Sequence, residues 1–379
     1  MKSYQLAIST GFGLEAVTKR EIGALLGAEH CPARQGLIRL SGTDREIALC
    51  NLWLRTAERV YIVAGERDGI DTFDKLFAFV HEIDWGLYLP QNANIHVLGK
   101  SVDSTLFGVS ACQSIAQKAI VVKMMETYHT REVTEDGAQY DITVDLYKDK
   151  CTILIDTSGK GLHRRGYRTL VGEAAIKETM AAALILLSVW NPSKPLIDPF
   201  CGSGTIPIEA ALIGRNIAPG LNRSFAFEHW TGFDVDMDEL RGQARAAIND
   251  TPLTISGFDI DPEAIKLCRY HAKAAGVEDC IHFQCMDMRE VSSRYSYGVI
   301  VTNPPYGERL LDDKQVDRLM RYFGKVYAAL NEWSLYLISS YPFLERAIGK
   351  QADKTRKLYN GKLQCRLYQF MGAKPPKKE

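Results

Sequence analysis

From about residue 170 onward, short apolar runs alternate strictly with amphipathic segments, and this alternation constrains the fold more than any other feature of the chain. The apolar runs are candidate strands, and in order they are PLIDPF, ISGFDI, CIHFQCM, GVIVTN, SLYLISS, KLY and LQCRLYQFM. Strands that alternate with helices predict a parallel sheet with helices on both faces. The last two runs are separated by YNGK, and Asn-Gly is a strong signal for a tight hairpin. The C-terminal region is therefore predicted to be an α/β, doubly wound, Rossmann-like sheet that ends in an antiparallel hairpin.

The first 157 residues show shorter, mixed elements. Residues 1–65 predict a small α+β module, with strands at YQLAIS, GLIRLSG and RVYIVAG and helices between them. Residues 66–157 predict a second α+β module, which ends in a hairpin from QYDITVDLY to CTILIDTS across KDK. The Gly-rich, basic segment 158–169 predicts a linker, and residues 170–379 predict the C-terminal domain.

Composition excludes several classes of protein. Lys and Arg together number 46, as do Asp and Glu, so the formal net charge of +0 gives no electrostatic argument for nucleic acid. The nine cysteines are scattered without a CxxC pair or a Cys/His cluster, which predicts neither a disulfide framework nor a metal site. The N-terminus lacks a signal-peptide core, and the apolar run MAAALILLSVW is too short for a membrane span. We expect a soluble, cytoplasmic protein with no membrane partner.

The first strand of the C-terminal domain is followed by DPFCGSGT, residues 198–205. Gly202 and Gly204 allow a tight turn and a close approach of the backbone to a ligand, and Thr205 opens the next helix, whose free N–H groups face the same place. Asp198 adds a carboxylate, which repels a phosphate and attracts a cationic ammonium or sulfonium group. The loop therefore suits S-adenosylmethionine better than a dinucleotide.

Aspartates follow the next two strands. Asp261 precedes Pro262, and this pair is explained in part by helix capping, because Asp is a good N-cap and Pro is favoured at the first helical position. Asp259 has no such capping duty, and an acidic residue at this strand end commonly accepts hydrogen bonds from ribose hydroxyls. Asp287, after the third strand, is placed to reach an adenine amino group. We expect all three near the cofactor.

The fourth strand is followed by NPPY, residues 303–306. An amine on a nucleobase is a poor nucleophile, because its lone pair is delocalised into the ring, so an enzyme must hold the NH2 group and aim its lone pair at the methyl carbon. The side chain of Asn303, beside the cofactor, and the Pro304 carbonyl supply the acceptors. Pro304 and Pro305 make the turn rigid, and Tyr306 can stack on an extruded base.

These residues together resemble the family of THUMP-domain RNA methyltransferases, and within it the bacterial enzymes that make N2-methylguanosine in large-subunit (23S) ribosomal RNA. The matching stretches are LHRRGYR, EAAIKETMAAALI, DPFCGSGTIPIEAA, APGLNRSFAFEHW, GFDIDPEAIKLCRYHA, NPPYGERL and KLYNGKLQC. The N-terminal half resembles the family only in layout, a ferredoxin-like module before a THUMP module.

The resemblance implies a class I methyltransferase domain and an RNA partner that is held by the two N-terminal modules. It also implies that the base is handled by Asn303 through Tyr306 and that S-adenosylmethionine is bound by Asp198, Phe200, Gly202, Gly204, Asp259 and Asp287. In the second module, the candidate phosphate contacts are Lys100, Lys118, Lys123 and Arg131.

Two alternatives stay open on the sequence. An Asn-Pro-Pro-Tyr turn fits any planar amine, so the acceptor is also compatible with guanine N2 in tRNA, adenine N6 in DNA or a glutamine side chain. A THUMP-like module favours structured RNA over the last two. A non-catalytic ribosome-assembly factor that keeps the fold as a scaffold is the alternative from another class, and the complete set of Asp198, Asp259, Asp287 and Asn303 argues against it.

Overall fold

A computed structural model describes residues 2–28, 31–34, 36–170, 176–305, 312–330, 332–361 and 363–376. Two seven-stranded sheets organise these residues. The predicted α/β fold class is confirmed: an α+β N-terminal half precedes a doubly wound C-terminal sheet.

The N-terminal half is built on one continuous sheet rather than on a separate sheet for each module. Its order is β2-β3-β1-β4-β7-β6-β5, and β4 alone runs across residues 65–66, where the sequence predicts a module boundary. The strands are β1 (Tyr4–Thr10), β2 (Ala33–Arg34), β3 (Leu37–Gly42), β4 (Ala57–Arg67), β5 (Asn94–Val102), β6 (Gln139–Tyr147) and β7 (Lys150–Asp156). The helices are α1 (Glu15–Leu26), α2 (Asp44–Trp53), α3 (Phe73–Glu82) and α4 (Val109–Thr127).

The C-terminal sheet has the order β10-β9-β8-β11-β12-β14-β13. Its strands are β8 (Leu196–Asp198), β9 (Ile255–Asp259), β10 (Ile281–Cys285), β11 (Val299–Thr302), β12 (Ser334–Ser339), β13 (Lys354–Asn360) and β14 (Leu363–Phe370). The helices are α5 (Glu178–Leu187), α6 (Thr205–Gly214), α7 (Met237–Ala246), α8 (Pro262–Ala274), α9 (Asp313–Ala329) and α10 (Leu344–Ile348). The strands β8 to β12 are parallel, and β14 is antiparallel to both of its neighbours.

The chain starts the second sheet in its middle. From β8 it proceeds outward to β9 and β10, then returns to β11 on the other side of β8. The strand order therefore reverses between β8 and β11. Ligands of open α/β sheets bind beyond the carboxyl ends of the strands at such a reversal, so the fold places the functional site at the ends of β8, β9 and β11.

The stretch APGLNRSFAFEHW, between α6 and α7, joins the two halves. Phe225, Phe227 and Trp230 are buried, and they belong to the same apolar core as the N-terminal sheet. The Trp230 ring stacks on Tyr140 of β6 with 4.5 Å between centroids, and its indole N–H donates to the Gln139 carbonyl at 3.1 Å. The two halves thus share a core, and this segment belongs to both.

The segment 158–169, predicted as a linker, is packed against α6. Arg165 and Glu209 are both buried and form an ion pair with 3.5 Å between Nε and Oε1, and the Tyr167 hydroxyl donates to the same oxygen at 3.0 Å. A second Arg165 nitrogen donates to the Arg55 carbonyl of the N-terminal half. Because α6 follows the Gly-rich loop directly, the segment ties that loop to the N-terminal sheet.

Replacing Trp230 by Phe is expected to lower the free energy of unfolding by about 1–2 kcal/mol, because the variant keeps most of the apolar surface but leaves the Gln139 carbonyl without its donor. Denaturant unfolding measures this difference. The control is Phe107→Ala, since Phe107 is 85% exposed and its loss is expected to change the free energy by less than about 0.5 kcal/mol.

Candidate active site

Four polar side chains mark the carboxyl edge of the C-terminal sheet. Asp198 ends β8, Asp259 ends β9, Asp287 follows β10, and Asn303 follows β11. These strands are neighbours in the order β10-β9-β8-β11. The sheet therefore brings together residues that are separated by as many as 105 positions in the sequence, as the pattern of strand ends predicts.

The Gly-rich loop between β8 and α6 is held in one conformation by its neighbours. Gly202 and Gly204 have φ of 51° and 82°, in the left-handed region that favours glycine. The Gly202 N–H donates to Asp259 Oδ2 at 2.9 Å, and the Cys201 N–H donates to the Phe258 carbonyl at 2.9 Å. A Cβ atom on Gly204 would lie 3.3 Å from the Cα of Cys268. Gly204 thus permits close packing on α8. A Cβ atom on Gly202, by contrast, would have no neighbouring atom within 4 Å.

Asp198 is buried beneath this loop. Its Oδ1 accepts hydrogen bonds from the Thr302 hydroxyl at 2.7 Å and from the Phe200 N–H at 3.2 Å. Burial raises the pKa of Asp198 to about 7; the two hydrogen bonds oppose this rise, and the nearby carboxylate of Asp259 adds to it. A carboxylate in this position is stabilised by any cation that binds beside it.

Asp259 has structural bonds that the sequence does not predict. Besides its bond from Gly202, its Oδ1 accepts the Asp261 N–H at 3.0 Å. Asp259 therefore fixes the distance between the Gly-rich loop and the start of α8, and a carboxylate oxygen has a further lone pair for a ligand. Asp261 has the predicted capping role, since its side chain accepts the Glu263 N–H at 2.9 Å at the start of α8.

Asp287 is engaged by its own neighbour. Its side chain accepts the backbone N–H of Arg289 at 2.9 Å and forms a fork with the Arg289 guanidinium, at 3.0 Å from Nε and 2.5 Å from Nη2. These bonds hold the pKa of Asp287 below its usual range. The side chain is thus ionised and oriented, and a ligand amino group at this strand end has to share the carboxylate with Arg289.

The turn after β11 contains an acceptor with no described donor. Asn303 Oδ1 is buried, and none of the described residues donates a hydrogen bond to it. Pro304 is buried and Pro305 is half-buried. Buried polar atoms in native proteins are nearly always paired, so an amide oxygen without a partner among the described residues, at the carboxyl edge of the sheet, is a candidate acceptor for a ligand N–H group. Tyr306, predicted to stack on a base, lies outside the described residues.

The remaining predicted residues lie around this centre. Phe200 is half-buried and packs edge-on against Phe323 of α9, with 5.4 Å between ring centroids. Thr205 is buried at the first position of α6, and its hydroxyl lies 3.4 Å from that of Ser203. Phe200 therefore forms part of the wall on the α9 side, and Thr205 anchors the helix that follows the loop.

Sequence reasoning missed Thr302 and Arg289. Thr302 is fully buried and links β11 to Asp198 through its hydroxyl. It immediately precedes Asn303, so a polar residue at the end of an otherwise apolar strand is a signal in the sequence. Arg289 lies only two residues after Asp287, but nothing in the spacing shows that the two side chains pair.

The described residues contain neither a cluster of metal ligands nor a helix suited to a membrane. No group of three or more His, Cys, Asp or Glu side chains in the described ranges is arranged to hold a metal ion. None of the helices in those ranges has the length and apolar character that are needed to cross a bilayer.

Asp198 and Asp259 both accept backbone N–H groups of the loop between β8 and α6, and the buried Oδ1 of Asn303 has no donor among the described residues. This set of acceptors fits a cationic ligand. Three features define a methyltransferase of the class that uses S-adenosylmethionine as its cofactor. They are the sheet order, the terminal hairpin, and the Gly-rich loop with its aspartates at the point where the strand order reverses. The family model for the RMKL-like methyltransferase domain matches residues 165–369, more than half of the chain. The chain belongs to this family.

Two further family models match the N-terminal half. The RlmL ferredoxin-like domain matches residues 5–61, and the THUMP domain matches residues 71–156. The predicted resemblance to THUMP-domain methyltransferases is therefore confirmed, including the layout of the looser N-terminal half. Both matched ranges lie on the N-terminal sheet, and the pairing of β4 with β7 joins the two modules within it.

Relatives match over the whole chain. A Bacillus subtilis (strain 168) protein, YpsC, named for a proposed RNA methyltransferase activity, is 42% identical over 383 residues, which cover 100% of this chain and 99% of the relative. The crystal structure of SMU.472, described as a methyltransferase in complex with S-adenosylhomocysteine, matches with a TM-score of 0.93 and 43% identity over 99% of this chain and 100% of that one. A Listeria monocytogenes protein, described as a predicted N6-adenine-specific DNA methylase, matches with a TM-score of 0.92 and 46% identity over 98% and 97%.

Proposed function

We propose that this protein transfers a methyl group from S-adenosylmethionine to the exocyclic N2 amine of a guanine in 23S ribosomal RNA. The observation that carries the proposal is the buried Oδ1 of Asn303, which has no donor among the described residues and lies where the strand order of the sheet reverses. An amide oxygen with no described donor, in a turn that two prolines make rigid, suits an NH2 group that has to be held in one orientation.

We assign the cofactor-binding residues by their positions at the ends of the strands. Asp259 and the Gly202–Gly204 loop would hold the ribose and the amino-acid part of the cofactor, and Asp198 would face a cationic group. Phe200 and Thr205 would complete the wall of the cofactor site, and Asp261 would contribute to it from the start of α8. Asp287 would lie on the side of the adenine. When bound, the cofactor supplies a methyl group that is activated by a sulfonium centre, and the sulfur departs as a neutral thioether.

The chain's own residues would orient the base. Asn303 Oδ1 and the Pro304 carbonyl would each accept a hydrogen bond from one N–H group of the amine, and we assign stacking on the base to Tyr306, which lies outside the described residues. With both N–H groups held, the lone pair of the amine nitrogen would point at the methyl group that the bound cofactor would supply, and the excess proton of the amine would pass to water. Positioning of this kind can remove about 7–11 kcal/mol from a reaction barrier.

The THUMP module supports RNA rather than DNA or protein as the substrate. Of the four cations predicted as phosphate contacts, Lys100 lies 3.6 Å from Asp145 and Lys123 lies 3.9 Å from Glu126. Lys118 and Arg131 are exposed and form no ion pair within the described residues. Phosphate contacts in this module are therefore best assigned to Lys118 and Arg131, and each would add a salt-sensitive increment to affinity.

The reaction is tested with purified protein, S-adenosylmethionine with a deuterated methyl group, and 23S RNA transcribed in vitro. We expect deuterated N2-methylguanosine in the digested RNA by mass spectrometry. Transfer to tRNA guanine, to adenine in DNA or to a protein glutamine instead would replace the proposed substrate. Binding of S-adenosylmethionine and RNA without transfer to any of them would favour an assembly factor.

Cofactor affinity is expected to rise with pH through the pKa of Asp198. Folding raises this pKa to about 7, so the protonated form prevails in the free, folded protein below pH 7. Between about pH 4 and pH 7 the unfolded chain ionises this group more readily than the folded protein does, so the group lowers the stability of the fold as pH rises through this range. A bound cation favours the carboxylate, so binding below pH 7 should release a proton and weaken by up to about tenfold per pH unit. Calorimetry in buffers of different ionisation enthalpy measures the proton, and Asp198→Asn should abolish its release. Flat affinity from pH 5.5 to 8 would contradict the assignment.

A further inference from the structure

An open groove lies between the loop that joins β1 to α1 and the hairpin formed by β13 and β14. It is lined by Phe12, Gly13, Lys357, Tyr359 and Gly361. The Phe12 ring is 55% exposed and meets the Tyr359 ring edge to face, with 6.1 Å between centroids. One aromatic ring from each half of the protein therefore meets at the same groove.

The loop that carries Phe12 is fixed to the hairpin. Arg356 donates through Nη1 to the Gly13 carbonyl at 3.1 Å, and a Cβ atom on Gly13 would lie 2.6 Å from the Lys357 carbonyl oxygen. Leu14 and Leu358 are buried in the same apolar core of the C-terminal half. Because the backbone on both sides of the groove is packed, the exposure of Phe12 is a property of the folded loop.

The groove lies on the same edge of the sheet as Asn303. β14 is antiparallel to β12, and Arg366 pairs with Ser339, the last residue of β12. The hairpin turn at Gly361 is five residues before Arg366, so it extends past the carboxyl end of β12 by up to about 16 Å at about 3.3 Å per residue. β12 is the neighbour of β11, which leads into Asn303.

The hairpin is basic. Between Lys354 and Arg366 the sequence contains no Asp or Glu, and the cations of this stretch that the structure describes form no ion pair with a described carboxylate. The Lys357 Nζ lies 5.4 Å from the centre of the Tyr359 ring. Glu15 is the acidic group beside the groove, and its Oε2 accepts the Gly13 N–H at 2.9 Å.

We propose that this groove holds an unpaired nucleotide of the substrate RNA that flanks the methylated guanine. The inference rests on the proposed function and adds a second contact surface to it. Exposed aromatic rings flanked by lysine and arginine are the platform that single-stranded RNA uses, since bases stack on the rings and phosphates contact the cations. A guanine must leave its stack to reach Asn303, so its neighbours need such a platform.

The test measures filter binding of the full-length protein to a transcript of 23S RNA over a salt series. Phe12→Ala and Tyr359→Ala are each expected to weaken binding on the order of tenfold or more with an unchanged salt slope, because stacking is lost but no charge is removed. Lys357→Gln is expected to reduce the slope of log affinity against log salt by about one.

Tyr295→Ala is the matched control. Tyr295 is 43% exposed, has the Arg294 guanidinium 5.1 Å above its ring, and precedes β11 at the opposite edge of the sheet. We expect its affinity for RNA to lie within about twofold of wild type, since this edge is remote from the proposed path. S-adenosylmethionine affinity, measured by calorimetry, should be unchanged in all four variants and shows that each is folded.

The outcomes separate the two proposals. If the wild-type protein neither binds nor methylates RNA, both the proposed function and the proposed role of the groove are overturned. Wild-type methylation of RNA, with binding by Phe12→Ala, Tyr359→Ala and Lys357→Gln equal to that of wild type, overturns the groove alone. Weakened binding in these three variants and not in Tyr295→Ala supports it.

Discussion

Asn303→Ala is expected to reduce the rate of methyl transfer by at least 100-fold, with little change in affinity for RNA. The variant removes the buried Oδ1 that no described residue engages, and with it the acceptor that we propose aims the amine. Removal of one preorganised polar group at a reacting centre typically costs on the order of 100-fold to 1,000-fold in rate. The rate is measured in a single turnover with saturating RNA and S-adenosylmethionine, so that binding does not limit it.

The control for this variant is Asn249→Ala. Asn249 is exposed and lies before β9, at the amino edge of the same sheet, so its removal should leave the rate within about twofold of wild type, as surface changes remote from a site usually do. If Asn303→Ala turned over at the wild-type rate, the turn after β11 would serve only to end the strand.

Asp259→Ala is expected to weaken S-adenosylmethionine binding by about 1.5–3 kcal/mol, or roughly 10-fold to 150-fold, which is the usual value of hydrogen bonds to a charged group. The variant loses the acceptors proposed for the ribose and also the bonds that hold Gly202 and Asp261 in place. Both losses act in the same direction. Calorimetric titration with the cofactor measures the difference.

Two comparisons make this result specific. Asp259→Asn keeps one oxygen acceptor and should fall between wild type and Asp259→Ala. Asp279→Ala removes an exposed carboxylate just before β10, at the amino edge, where its partner is Arg215, and should leave cofactor affinity unchanged. Equal affinity in wild type and Asp259→Ala would remove Asp259 from the cofactor site.

The arrangement of the C-terminal sheet could be predicted because its signals are local. Each strand is a short apolar run, and Asp198, Asp259 and Asn303 each stand at or directly after a strand end. The carboxyl ends of parallel strands share one edge, so their convergence follows without knowledge of any side-chain contact. The hairpin between β13 and β14 is likewise predicted by the Asn-Gly pair within YNGK.

Contacts between distant segments could not be predicted in the same way. The pairing of β4 with β7, which makes one sheet of two modules, depends on complementary edges 84–95 residues apart. The aromatic residues of APGLNRSFAFEHW have no periodicity that shows which surface buries them, and the structure places them in the core of the N-terminal half.

Polar side chains with two possible roles show the same limit. A sequence places Asp259 and Asp287 at strand ends, but it does not show that Asp259 holds Gly202 or that Asp287 pairs with Arg289. Phe12 is a similar case, because its significance depends on Tyr359, which is 347 positions away and meets it only in the folded chain.

The central claim is that one guanine of 23S RNA receives its N2 methyl group from this protein. The most direct measurement is mass spectrometry of nucleosides, mapped by fragment, in ribosomal RNA from a strain that lacks the gene and from the same strain complemented with wild type or with Asn303→Ala. We expect one N2-methylguanosine to be absent from the 23S RNA of the deletion strain, restored by wild type and not restored by Asn303→Ala. A complete 23S modification profile in the deletion strain, with a methyl group missing from tRNA or DNA instead, would contradict the claim.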